Sequence, residues 1–175
     1  MRFFEFPNHY HPRDILFIGM GHMSRRDDGV GIELVRRLAR SLGQEVFCME
    51  RNAGGLDLIE EWKGMKRVWV FDAVYSGAPA GTIYRYDGLK DPIPSYLFSV
   101  TTHSLGIAEV IALARGLKRL SLSLTLYGIE GKSFEKGEGL SPEVHDALQQ
   151  VLGQASREIL GVSLQPTLKK ECNYE

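Results

Sequence analysis

The sequence predicts an α/β fold: a single three-layer domain in which a mostly parallel five-stranded sheet carries helices on both faces. Three observations lead there. Short apolar runs alternate with stretches of helical periodicity, the pattern of strands joined by crossover helices. The first and third runs, residues 14–18 and 67–73 (RVWVFDA), are dense in apolar residues, as strands covered on both faces are. No internal repeat or long linker divides the 175 residues, a length that suits one domain with a sizeable core. Residues 1–13 read as a lead-in, 14–161 as the domain and 162–175 as a frayed tail.

The stretch DILFIGMGHMSRRDDGVG, residues 14–31, reads as a buried strand, a glycine turn, a carboxylate pair and a helix start. Ile32, Val35, Leu38, Ala39 and Leu42 then share one helical face, with Glu33, Arg36, Arg37 and Arg40 opposite. Gly43 is the expected stop. Residues 45–49 form a second strand, followed by Asn-Ala-Gly-Gly at 52–55 and a short helix through Trp62. The third strand is expected to end on Asp72. After a turn at 77–81, residues 82–86 alternate apolar and polar as a half-exposed strand. Residues 88–96, with Pro92 and Pro94, are an irregular loop.

A helix is expected from about Ser104 to Arg115, stopped by Gly116, and residues 122–129 form the fifth strand. The glycine-rich stretch 128–139 is expected to be a mobile loop. Ser141 reads as an N-cap, Pro142 as the first helical residue, and Glu143 favours the positive helix end. Val144, Leu148, Val151, Leu152, Ala155 and Ile159 form the stripe of that last helix.

Composition excludes several classes of function. The 21 basic and 22 acidic residues leave a net charge of −1, without the basic field of a nucleic-acid binder. No stretch approaches the roughly 18 apolar residues that span a bilayer, and the start lacks the apolar h-region of a secretory signal. Cys48 and Cys172 form neither a metal-ligand spacing nor a disulfide framework; Cys48, in an apolar stretch, is expected in the core. A soluble, cytoplasmic, monomeric protein follows as the expectation.

The chemistry lies at three separated places. Asp28 follows the first strand, Asp72 ends the third, and His103 stands in Thr101-Thr102-His103-Ser104 ahead of a helix. A parallel sheet would bring all three to its carboxyl edge. Two carboxylates and one imidazole make a three-ligand set for a borderline divalent ion such as nickel or zinc, with positions left open for water or a partner's groups. Plainer roles exist: Asp28 can stabilise the start of the next helix, and His103 can be a satisfied structural histidine. Asp72 is harder to explain so, because a carboxylate at a buried sheet edge needs a partner. Asp27 is expected to face solvent or fix the turn, and His9, His11 and His145 take no role. A dinucleotide site fits poorly, since Gly19-x-Gly21-x-x-Ser24 lacks the third glycine and acid stands where pyrophosphate would sit. No serine or cysteine stands beside a plausible base, which disfavours covalent catalysis.

Taken together, GMGHMSRRDDGVG, VFDA and TTHSLG, with NAGG after the second strand and LTLYGIE in the fifth, resemble the maturation endopeptidases of nickel-iron hydrogenases. The resemblance runs from about residue 14 to 160 in the same order and spacing. It implies a twisted five-stranded sheet between helices, and nickel contacts by Asp28, Asp72 and His103, with Asp28 and Asp72 as the catalytic candidates. It also implies an activity: removal of a short carboxyl-terminal extension from the hydrogenase large-subunit precursor once nickel is loaded, the nickel belonging to the precursor and shared with the enzyme. His22 departs from the pattern, since the family usually has Asn directly after this Gly-x-Gly turn. Histidine can stabilise the turn in the same way or add a nitrogen ligand. Two other classes stay open beside the protease: a non-proteolytic nickel-binding maturation or sensing module, and a nucleotide-binding enzyme.

Overall fold

In the computed structural model, which describes residues 11–42, 46–98 and 105–160, strands and helices alternate as the apolar pattern predicts. The order is β1 (Ile15–Met20), α1 (Val30–Leu42), β2 (Phe47–Arg51), α2 (Leu58–Glu61), β3 (Arg67–Val74), β4 (Ile83–Asp87), α3 (Ile107–Gly116), β5 (Ser123–Glu130) and α4 (Pro142–Ile159). The five strands lie in the order β2-β1-β3-β5-β4, parallel except for β4, which runs antiparallel to β5. Most of the lead-in, all of the tail, Gly43 and His103 lie outside the described residues.

Alternate residues of the buried strands feed two separate cores, because successive side chains of a strand point to opposite faces. Ile15, Phe17, Trp69, Phe71 and Tyr127 face one way and pack on α1 and α4 through Leu34, Val35, Leu38, Val144, Leu148 and Val151. Leu16, Ile18, Val68, Val70 and Leu126 face the other way, against Leu58, Trp62, Ile107 and Ile111. Both faces of the sheet are therefore apolar, and each fully buried aliphatic side chain contributes about 1.5–3 kcal/mol. The last helix follows its predicted stripe, with Ala147 added and Leu152 only partly buried.

Polar links tie the layers at their ends. Arg36 of α1 makes a two-pronged ion pair with Glu50 of β2, at 2.7 and 2.8 Å. At the far end of the sheet Arg67 donates to the last carbonyls of α4, Glu158 and Ile159. The Glu158 carboxylate in turn accepts from Trp69, Arg85 and Tyr127. That end of the domain is stitched shut, and the opposite end is left for function. Among the described residues no helix is long and apolar enough to cross a membrane.

Several element bounds differ from the expectation for identifiable reasons. β3 continues past Asp72 to Val74 because its pairing with β5 extends to Val74↔Glu130; Asp72 thus sits inside the strand. α3 begins only at Ile107, where Gly106 is still extended at φ −70° and ψ 164°. Cys48 is exposed rather than in the core, because β2 is an edge strand whose residues are at best half-buried.

Candidate functional site

A doubly wound sheet opens a crevice where successive connections leave in opposite directions, at the carboxyl ends of the strands involved. Here α1 carries the chain from β1 outward to β2, while β3 lies on the other side of β1. The switch falls between β1 and β3, and a cleft of about 310 Å³ lies there. Its wall consists of Met20, Gly21, His22, Arg25 and Asp28 after β1, Asn52–Gly54 after β2, Asp72 of β3, then Phe98 and Leu105–Ile107 ahead of α3.

Helix α1 enters close to the sheet because residue 31 is a glycine. A Cβ there would run into the backbone carbonyls of Phe71 and Met20. This contact seats the start of α1, and with it Asp27 and Asp28, beside the end of β3. Asp28 lies in a single 3-10 turn, Arg26–Gly29, directly before α1 and is 5% exposed. It stands where the helix dipole favours negative charge, and it also lines the cleft. Gly21, at φ +120°, turns the chain so that its backbone lies against the carbonyl of Asp28, a place with no room for a Cβ. The next residue, His22, brings its Nδ1 to 2.9 Å from Asp28 Oδ2.

Asp72 reaches the same cleft from β3 and is 9% exposed. Its pKa is raised well above the usual carboxylate value, first by burial and then by the nearby charge of Asp28, with the Ala73 N–H pulling the other way. Arg25 also lines the cleft, yet it forms no ion pair with either carboxylate. Two buried acids side by side, with no lysine or arginine partner among the described residues, resist joint ionisation, and a bound cation would relieve them. Among the described residues no group of three His, Cys, Asp or Glu side chains suited to an ion is assembled. His103, the expected third donor, falls outside those residues, between two described parts of the cleft wall, Phe98 and Leu105.

Two other buried carboxylates show by contrast what sets Asp28 and Asp72 apart. Asp27 is fully buried rather than facing solvent. It accepts hydrogen bonds from the Lys132, Ser133 and Ser141 backbone N–H groups and from the Ser141 hydroxyl, at 2.6–2.9 Å. Burial alone would raise its pKa; these four donors outweigh that and hold it below the ordinary carboxylate value. The glycine-rich loop after β5 is consequently pinned rather than free, with further backbone bonds from Arg26 to Gly137 and from Gly137 to Ser24. Ser141 does stand at the N-cap of α4, but its hydroxyl serves Asp27 instead of the helix.

Glu130 was overlooked in the sequence, although it ends an apolar strand as Asp72 was expected to do. It is 1% exposed, and it is satisfied by the N–H and hydroxyl of Ser76 and the N–H of Gly77 at 2.7–3.0 Å. The wall residues Phe98 and Ile107 also escaped sequence reasoning, since no residue type or spacing distinguishes them; Arg25, Leu105 and Gly106 lie inside matched motifs but were given no role. Cys48 has no place in the cleft wall. Desolvation and Glu50 push its thiol up to about 11, so it is no nucleophile at neutral pH.

Comparison with known proteins returns one theme. A model of the family described as hydrogenase maturation protease (HycI) matches residues 32–158, a span that includes Asp72 and begins just after Asp28. The chain is 28% identical over 147 residues to the hydrogenase expression/formation protein HupD of Thiocapsa roseopersicina, covering 81% of this chain and 66% of that protein. It is likewise 28% identical over 145 residues to the hydrogenase 2 maturation protease of Escherichia coli, covering 80% and 87%. Among solved structures, the hydrogenase maturating endopeptidase HybD from E. coli matches with a TM-score of 0.68 at 25% identity, over 82% of this chain and 91% of that one.

Proposed function

The chain belongs to the hydrogenase maturation protease family, and from that membership we propose that it trims the carboxyl-terminal extension of a nickel-iron hydrogenase large-subunit precursor in the cytoplasm after nickel insertion. One observation supports the nickel-dependent form of this reading: Asp28 and Asp72 are buried in one cleft at the sheet's switch point, and among the described residues neither is paired with a lysine or arginine. The two other fully buried acids among the described residues, Asp27 and Glu130, are satisfied by the protein itself. In this account the missing partner arrives with the substrate, as nickel seated in the precursor.

Asp28, from the turn before α1, and Asp72, from β3, would then supply oxygen ligands, and His103 would supply a nitrogen. Three protein ligands leave coordination positions for the precursor's own groups. Nickel so shared serves as the recognition mark and as the Lewis acid that polarises the scissile carbonyl. One of the two carboxylates would take a proton from the attacking water and pass it to the leaving amine as the carbonyl–nitrogen bond breaks. The pinned loops after β1 and β5 hold the turn that carries Asp28, and Asp72 is held within β3, so docking of the nickel-bearing segment requires little rearrangement of the enzyme.

The test is the product. Incubation of the purified chain with a nickel-loaded precursor is expected to give, by mass spectrometry, one shortened large subunit and one released extension. A precursor that binds but stays intact would instead identify a non-proteolytic nickel-binding module.

A further inference from the structure

Among the described cleft residues, His22 is the one whose side chain hydrogen-bonds a proposed ligand, and the reaction above leaves it without a task. Its side chain is 39% exposed, and its Nδ1 is committed to Asp28 Oδ2. When Asp28 is ionised to receive a cation it has no hydrogen to give, so in that state the contact is Nδ1–H donating to Oδ2. Around it the loop closes on itself. The Arg25 N–H donates to the His22 carbonyl at 3.0 Å, and the Asp28 N–H donates to the Arg25 carbonyl at 3.1 Å. The backbone of Gly21 lies against that of Asp28. No described residue hydrogen-bonds to the other oxygen, Oδ1.

The last torsion of an aspartate is broad and roughly two-fold, so an unrestrained carboxylate presents its oxygens in many orientations. We propose that His22 is a positioning residue: through Nδ1–H it holds Oδ2 of Asp28, and so presents Oδ1 to the cation of the incoming substrate. The inference rests on the reading of the cleft given above. It assigns the work to Nδ1 and none to Nε2, which separates positioning from ligation by the imidazole. Outer-shell partners of metal ligands typically contribute about 10–100-fold to affinity or activity, and that is the size of effect expected here.

Two amides divide the histidine between them. Asparagine carries its N–H group the same number of bonds from Cα as Nδ1, and glutamine carries its own at the distance of Nε2. His22→Asn, His22→Gln and His22→Ala are therefore compared on nickel-loaded precursor, with melting temperatures recorded and Asp28→Asn as control. His22→Ala and His22→Gln are expected to lose about 10–100-fold in kcat/KM at unchanged melting temperature, and His22→Asn to restore most of the rate. Full activity of His22→Ala would overturn the proposal. So would retention by His22→Gln with loss in His22→Asn, which would make Nε2 the working nitrogen. If Asp28→Asn is inactive while every His22 variant is normal, only this inference fails. If Asp28→Asn also processes normally, the reading of the cleft fails and this inference with it.

Discussion

Replacing Asp72 by asparagine is expected to abolish processing while leaving the melting temperature unchanged or slightly raised. The two halves of that result come from one cause. Asp72 is buried beside Asp28, and both burial and that neighbouring charge disfavour its ionised form. A buried charge without a partner is a cost to the folded chain, so removing it does not weaken the fold. Asparagine keeps the size and shape but offers a nickel ion only a weak neutral oxygen. The loss of activity should exceed the roughly 10–100-fold typical of an outer-shell contact. A thermal melt combined with a processing assay checks both halves. Severe destabilisation, with residual activity following the folded fraction, would make Asp72 a structural acceptor and remove the central ligand of the proposed site.

Asp27→Ala is expected to do the reverse, although the residue adjoins Asp28 in the chain. Its carboxylate gathers three backbone N–H groups and one hydroxyl from residues 132–141. Without it these buried donors lose their acceptor, and each stranded buried donor costs about 1–3 kcal/mol. A loss of about 3 kcal/mol or more follows, which for a chain of this size lowers the melting temperature by roughly 6–12 °C. Calorimetry is the direct check. Processing measured well below the lowered melting point should survive in part, because Asp27 holds the loop and touches no substrate. An unchanged melting temperature would mean that the loop does not depend on this carboxylate.

The neighbouring pair Asp27 and Asp28 shows where sequence reasoning reached and where it stopped. Apolar density and helical spacing are local signals, so β1, β3, β5, α1 and α4 were legible to within a few residues. The convergence of Asp28 and Asp72 was legible too, because parallel strands bring their carboxyl ends to one edge. What a carboxylate meets across 105 or 114 residues is not a local signal. Asp27 therefore read as a solvent or turn residue, and its donors at 132, 133 and 141 were invisible. The same limit explains the loop expected to be mobile, whose glycines are visible in the sequence but whose anchor is not. Cys48 was misplaced for a related reason: β2 looks apolar, but only the sheet order makes it an edge.

Whether the cleft reads nickel carried by the substrate, as proposed, is decided by one side-by-side measurement. The same precursor is prepared with nickel inserted and with nickel withheld, and cleavage by the chain is followed by mass. The loaded precursor is expected to be trimmed, the nickel-free precursor to stay intact, and later nickel insertion to restore trimming. Equal cleavage of the two would contradict it, and would mean that the extension itself is recognised rather than the metal.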